Sequence, residues 1–102
     1  EFKPSGQPGQ NLISSIAPVG GQWNLVTVVK TPTVITMYIN GVSGGTLAIA
    51  DGPLSSTHDL TIGSYTPGTS EFFNGLMDDV AIWNRALSYT EITQLLSQPV
   101  LP

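Results

Sequence analysis

Residues 33–45, TVITMYINGVSGG, decide how this 102-residue chain is read. Thr33 to Ile39 is β-branched and aromatic, and it alternates: Ile35, Met37 and Ile39 fall on one face, Val34, Thr36 and Tyr38 on the other. Asn40-Gly41 follows at once. Asn-Gly between strands is the strongest short hairpin signal, because both central positions of a type I′ turn need positive φ. Asn40 therefore reads as a turn residue rather than a ligand-binding one. The return arm, Val42 to Ala50, carries Gly44-Gly45, which marks a bulge or a close backbone approach.

Outward from this hairpin, Gln22 to Lys30 (QWNLVTVVK) reads as a preceding strand bounded by Gly-Gly and Thr-Pro. Val26 and Val28 share one face of it, and Trp23, Leu25, Thr27 and Val29 the other. Downstream, Asp51-Gly52-Pro53 closes the arm, 54–59 reads as loop, Leu60 to Gly63 as a short strand and 71–83 (EFFNGLMDDVAIW) as the last strand. Ser88-Tyr89-Thr90-Glu91 has capping-box spacing, and Leu87, Ile92, Leu95 and Leu96 give the helix behind it an apolar face. Pro99 and Pro102 stop that helix. Residues 1–19 read as a linker or irregular lead-in with one apolar patch (Leu12, Ile13, Ile16), 20–98 as the domain and 99–102 as a tail. Five or six strands and a single terminal helix are expected.

Composition narrows the function. Charged residues make up 10% of the chain and the net charge is −4. Three scattered cations, Lys3, Lys30 and Arg85, are too few to replace phosphate counterions, which argues against nucleic acid and against anionic membrane surfaces. Zero Cys excludes disulfides and thiolate metal sites, and one His, His58, excludes a multi-His site. No apolar run approaches the ~18 residues of a spanning helix, so no membrane insertion is expected. With no initiator Met and no signal peptide, the chain is expected to be cut from a longer polypeptide or processed.

The order of the motifs is more specific than any one of them. Gly-Gln-Trp-x-x-Val-x-Val (21–28) precedes Met-Tyr-Ile-Asn-Gly (37–41), then Leu-Thr-Ile-Gly (60–63). The run Phe-Asn-Gly-Leu-Met-Asp-Asp-Val-Ala-Ile-Trp-Asn-Arg-Ala-Leu-Ser (73–88) and Glu91-Ile92 complete it. Across about residues 20–96 this resembles the C-terminal half of a laminin G-like, concanavalin A-like lectin jelly-roll domain. The resemblance implies an all-β fold: an antiparallel jelly-roll β-sandwich, partial here, with one short C-terminal helix. It implies a non-catalytic carbohydrate- or glycan-binding module of an extracellular or cell-surface, bacterial multidomain protein. The alternative is a structural or protein-adhesion module without a sugar site. The earlier strands of such a domain have no counterpart in residues 1–19. The apolar face left open points to a homodimer or strand-exchanged assembly.

Candidate site residues follow from chemistry and from the resemblance. A sugar needs an aromatic platform, and Tyr38, Tyr65 and Phe72, with Phe73 beside it, are the candidates. Trp23 and Trp83 are expected in the core. The resemblance aligns Asp78 with an Asp that binds a structural Ca²⁺ beside backbone carbonyls. On a strand, Asp78 and Asp79 would point to opposite faces and could not form a catalytic dyad. The Glu-x-Asp-x-x-Glu arrangement of laminarinase-like hydrolases is missing, so no enzyme is expected. Arg85 is expected to bridge the final turn to nearby carbonyls or to Asp79.

Overall fold

Asn40 and Gly41 take φ of 51° and 77°, and the chain reverses on them to pair two strands with a two-residue turn. The computed structural model describes residues 11–50, 57, 59–65 and 71–97. Among these, β1 (Val26–Lys30), β2 (Val34–Ile39) and β3 (Val42–Ala48) form an antiparallel meander in the order β1-β2-β3, and α1 (Tyr89–Leu95) follows near the end. β1 and β2 are in register from Val26↔Ile39 to Lys30↔Ile35. The expected first strand thus begins four residues late, at Val26.

Gly44-Gly45 fulfils both parts of its reading. The β2–β3 register steps from Met37↔Gly45 to Tyr38↔Ser43, so Gly44 is the extra residue of a bulge. The segment 12–16 lies against it. Ser15 N–H donates to the Gly44 carbonyl at 2.8 Å, the Ser15 hydroxyl donates to the same oxygen at 3.0 Å, and a Cβ on Gly44 would collide with Ser14 Oγ.

The alternation of β2 is realised in full. Ile35, Met37 and Ile39 are buried together with Leu12 and Ile49, and Ile16 and Leu47 pack against them. Ile35 is fully buried, which places its side chain in the class worth about 1.5–3 kcal/mol by transfer out of water. Leu12 belongs to the apolar patch of the lead-in, so that segment adds a core residue as well as an edge contact.

Asn40 does more than turn the chain. Its N–H donates to the Leu25 carbonyl at 2.8 Å, its Oδ1 accepts the Leu25 N–H at 2.8 Å, and its Nδ2 donates to Asn24 Oδ1 at 2.9 Å. Asn24 in turn accepts the Val19 N–H and donates to the Val19 and Gln22 carbonyls. Two amides therefore clamp 19–25 to the hairpin tip.

Among the described residues three strands stand where five or six were expected. Residues 60–63 form no strand among the described residues; 71–83 form none either. A strand exists only where a ladder satisfies its backbone, and here the Phe73 N–H to the Gly63 carbonyl, at 2.8 Å, is the one backbone bond joining the two segments. Glu71 and Asp79 adopt φ of 51° and 53°, and Asp78 Oδ1 takes the Asp79 N–H at 2.8 Å. That local side-chain bond competes with extended pairing. Trp23 and Trp83 are likewise exposed rather than in the core, at 65% and 41%, because neither lies on a strand of the sheet. His58, the turn at 51–53, Pro67, Gly68, Pro99 and Pro102 lie outside the described residues.

Candidate functional site

The outer face of β2 carries Tyr38 opposite the core residues. α1 seats over this face at the hairpin end. Tyr89, its first residue, sets its ring 6.3 Å from that of Tyr38 at an interplanar angle of 42°. At the other end of the helix Leu96 lies over Gly41, where a Cβ would come within 2.8 Å of its Cδ1. Ile92, between them, is fully buried.

What fixes α1 is the capping box, formed as its spacing requires. Ser88 Oγ accepts the Glu91 N–H at 3.2 Å, and Glu91 Oε1 accepts the Ser88 N–H at 3.1 Å. Arg85 joins it from the preceding turn with a two-pronged grip, Nη1 to Oε1 at 2.9 Å and Nη2 to Oε2 at 2.5 Å. Its partner is Glu91, not Asp79 or a backbone carbonyl. This is the geometry for which a guanidinium fork is suited. The Arg85 bond first, and the Ser88 N–H second, lower the Glu91 carboxyl from the usual range to about 2. In return the Arg85 guanidinium is held still more firmly in its charged form.

The sequence-predicted platform residues are distributed unevenly. Tyr38 is half-buried and paired with Tyr89. Tyr65 and Phe72 are exposed at 66% and 65%, and the Tyr65 carbonyl accepts the Thr61 hydroxyl at 3.4 Å. Tyr89 is the aromatic that sequence reasoning missed. Nothing local marks it, since its approach to Tyr38 depends on where α1 docks.

Asp78 is exposed and gives one oxygen to its neighbour's N–H. Among the described residues no three Asp, Glu or His side chains gather. A calcium ion at Asp78 would need six to eight oxygens and would draw most of them from backbone carbonyls and water, so the described side chains alone fall short of a site.

The inner face holds an apolar groove of about 340 Å³ between the 13–18 segment and the β1–β2 pair. Ile13, Ile16, Val26, Val28, Met37 and Ile39 line it. Val26 and Val28 stand on the core face at its open side, exposed at 55% and 38%. No helix among the described residues is long and apolar enough to cross a membrane.

Comparison with known proteins extends these observations. The family described as the concanavalin A-like lectin/glucanases superfamily matches residues 2–93, a span that begins ahead of residue 20. A crystal structure of an S-layer domain-containing protein (residues 221–444) from Clostridium thermocellum ATCC 27405 is similar, with 31% identity and a TM-score of 0.68. The similarity covers 81% of this chain and 43% of that one, so this chain spans less than half of the solved structure. A search of curated proteins returned no match.

Proposed function

The chain belongs to the concanavalin A-like lectin/glucanases superfamily, and from that premise we propose that it is a non-catalytic glycan-binding module of an extracellular, cell-surface bacterial protein. The observation that carries this reading is the Tyr38–Tyr89 pair, in which the Tyr89 ring of α1 stands 6.3 Å from the Tyr38 ring on the outer face of β2. Aromatic faces match the apolar face of a pyranose, and phenol hydroxyls can bond its rim. The similarity to an S-layer domain-containing protein supports the cell-surface location. Two of the described carboxylates are already engaged within the fold: Glu91 with Arg85 and Ser88, and one oxygen of Asp78 with the Asp79 N–H.

A polysaccharide pull-down tests the proposal. The wild-type chain is expected to be retained on at least one insoluble or immobilised glycan, and Tyr89→Ala to weaken retention at least as much as Tyr65→Ala or Phe72→Ala. No retention on any glycan, or retention indifferent to Tyr38→Ala and Tyr89→Ala, would remove the reading. Calcium at Asp78 is proposed as an accessory only. Calorimetric titration with Ca²⁺ and melting with and without it decide the matter, since a bound ion must raise the melting temperature.

A second reading, a structural or adhesion module, is favoured by a different observation. The inner groove stays open, and Leu76, Val80 and Ile82 are exposed at 80%, 55% and 73%. Soluble monomers rarely leave large apolar patches open to water. A homodimer or strand-exchanged assembly would cover it, and light scattering showing a folded monomer would count against that assembly.

A further inference from the structure

The chain contains two Asn-Gly pairs, at 40–41 and 74–75, and the fold treats them in opposite ways. Asn-Gly is the dipeptide most open to spontaneous deamidation, because glycine has no Cβ to obstruct approach of its nitrogen to the amide carbon. The glycine nitrogen attacks Asn Cγ, the N–Cγ bond forms and the Cγ–Nδ2 bond breaks. Ammonia leaves with the proton from the backbone nitrogen, and a succinimide remains. Water then adds to either ring carbonyl and opens the ring to aspartate or isoaspartate. Nothing is oxidised or reduced.

At Asn40 this path is closed by geometry. Both ends of the amide are held, Oδ1 by the Leu25 N–H at 2.8 Å and Nδ2 by Asn24 Oδ1 at 2.9 Å. Gly41 is buried beneath Leu96. Swinging Cγ onto the Gly41 nitrogen breaks both hydrogen bonds. At Asn74 the amide is not held: the Phe73 ring lies over Gly75 much as Leu96 lies over Gly41, but Asn74 and Gly75 are exposed, no hydrogen bond among the described residues holds the Asn74 amide, and the surrounding segment joins no ladder.

We propose that Asn74 is a deamidation site of the folded protein, while the Asn24–Leu25 clamp keeps Asn40 intact. Conversion at Asn74 adds a negative charge beside Phe73 to a chain already at −4. In the isoaspartate product it also lengthens the backbone next to the Phe73–Gly63 hydrogen bond.

The test is incubation of the full chain at mildly alkaline pH, with peptides around each site quantified by mass spectrometry, in native buffer and in concentrated urea. In native buffer, conversion at Asn74 is expected to outpace Asn40 by roughly ten- to a hundredfold, as for the loss of two hydrogen bonds. In urea the two rates converge. Asn24→Ala raises the native rate at Asn40 and leaves Asn74 unchanged, and Asn74→Gln abolishes conversion at that position. Equal native rates at the two sites would overturn the proposal, as would a difference that persists in urea. Should Asn24→Ala fail to fold, the native and urea arms of the wild type still decide it.

Discussion

The segments Thr33–Ile39 and 71–83 both read as strands in the sequence, yet the first supplies the buried strand Val34–Ile39 and the second lies largely exposed. Ile35 has no exposed surface and Ile82 keeps 73% of its own. The contrast lies in what the neighbouring sequence supplies. β2 is flanked by a short link at 31–33, closed by the Thr31 N–H to the Val34 carbonyl at 2.9 Å, and by the Asn40-Gly41 turn. Each returns a partner strand within a few residues. The 71–86 run is followed by a helix and makes, among the described residues, a single backbone bond to Gly63. Apolar and β-branched content marks a segment able to form a strand; a ladder partner makes it one.

The largest effect expected from breaking this contrast is at Ile35. Ile35→Ala should cost about 2–5 kcal/mol in urea unfolding, since the site is fully enclosed. The same truncation at Ile82 should stay within about 0.5 kcal/mol. An Ile82→Ala cost matching that of Ile35→Ala would show that 71–86 is packed in solution.

Next comes the bulge. Gly44→Ala should destabilise by about 1–3 kcal/mol, because Ser14 and the backbone behind it must move. Gly20→Ala, where nothing lies within 4 Å, should be neutral or slightly stabilising. Equal effects would mean that the 12–16 segment does not lie on β3.

The parts of the fold that were legible share one property: their chemistry is local. Asn40-Gly41, Gly44-Gly45 and Ser88-x-x-Glu91 each act over a few residues, and all three formed as their patterns require. What stayed hidden depends on distant neighbours. The Asn24–Asn40 clamp spans 16 residues. Arg85 has several acids within reach along the chain, and only the placement of α1 selects Glu91. Trp23 and Trp83 were expected in the core because the resembling family uses Trp structurally at those positions, and their exposure follows from β1 starting only at Val26 and from 71–83 staying unpaired. At the candidate site Tyr38 could be named from its face of β2, whereas Tyr89 needed the helix to be docked before the two rings met.

The smallest expected effect is electrostatic. The Glu91 carboxyl is held at about 2, below its ordinary 4.5. A depressed carboxyl contributes stability that is fully present above the ordinary value and is lost as pH falls from about 4.5 through about 2. The pair is exposed, so salt should weaken it. Arg85→Ala should therefore shift the acid loss of α1 helicity toward higher pH, as read by circular dichroism, without disturbing β1–β3. An unchanged acid profile would show that the Arg85 grip contributes nothing to the cap.

The most direct test of the contrast between the two regions is amide hydrogen exchange resolved by residue. Slow exchange is expected at the β1–β2 and β2–β3 ladder amides within 26–48, including Asn40, with fast exchange across 74–86. Comparable protection in the two regions would contradict the account, since it would mean that 71–86 has found a ladder in solution.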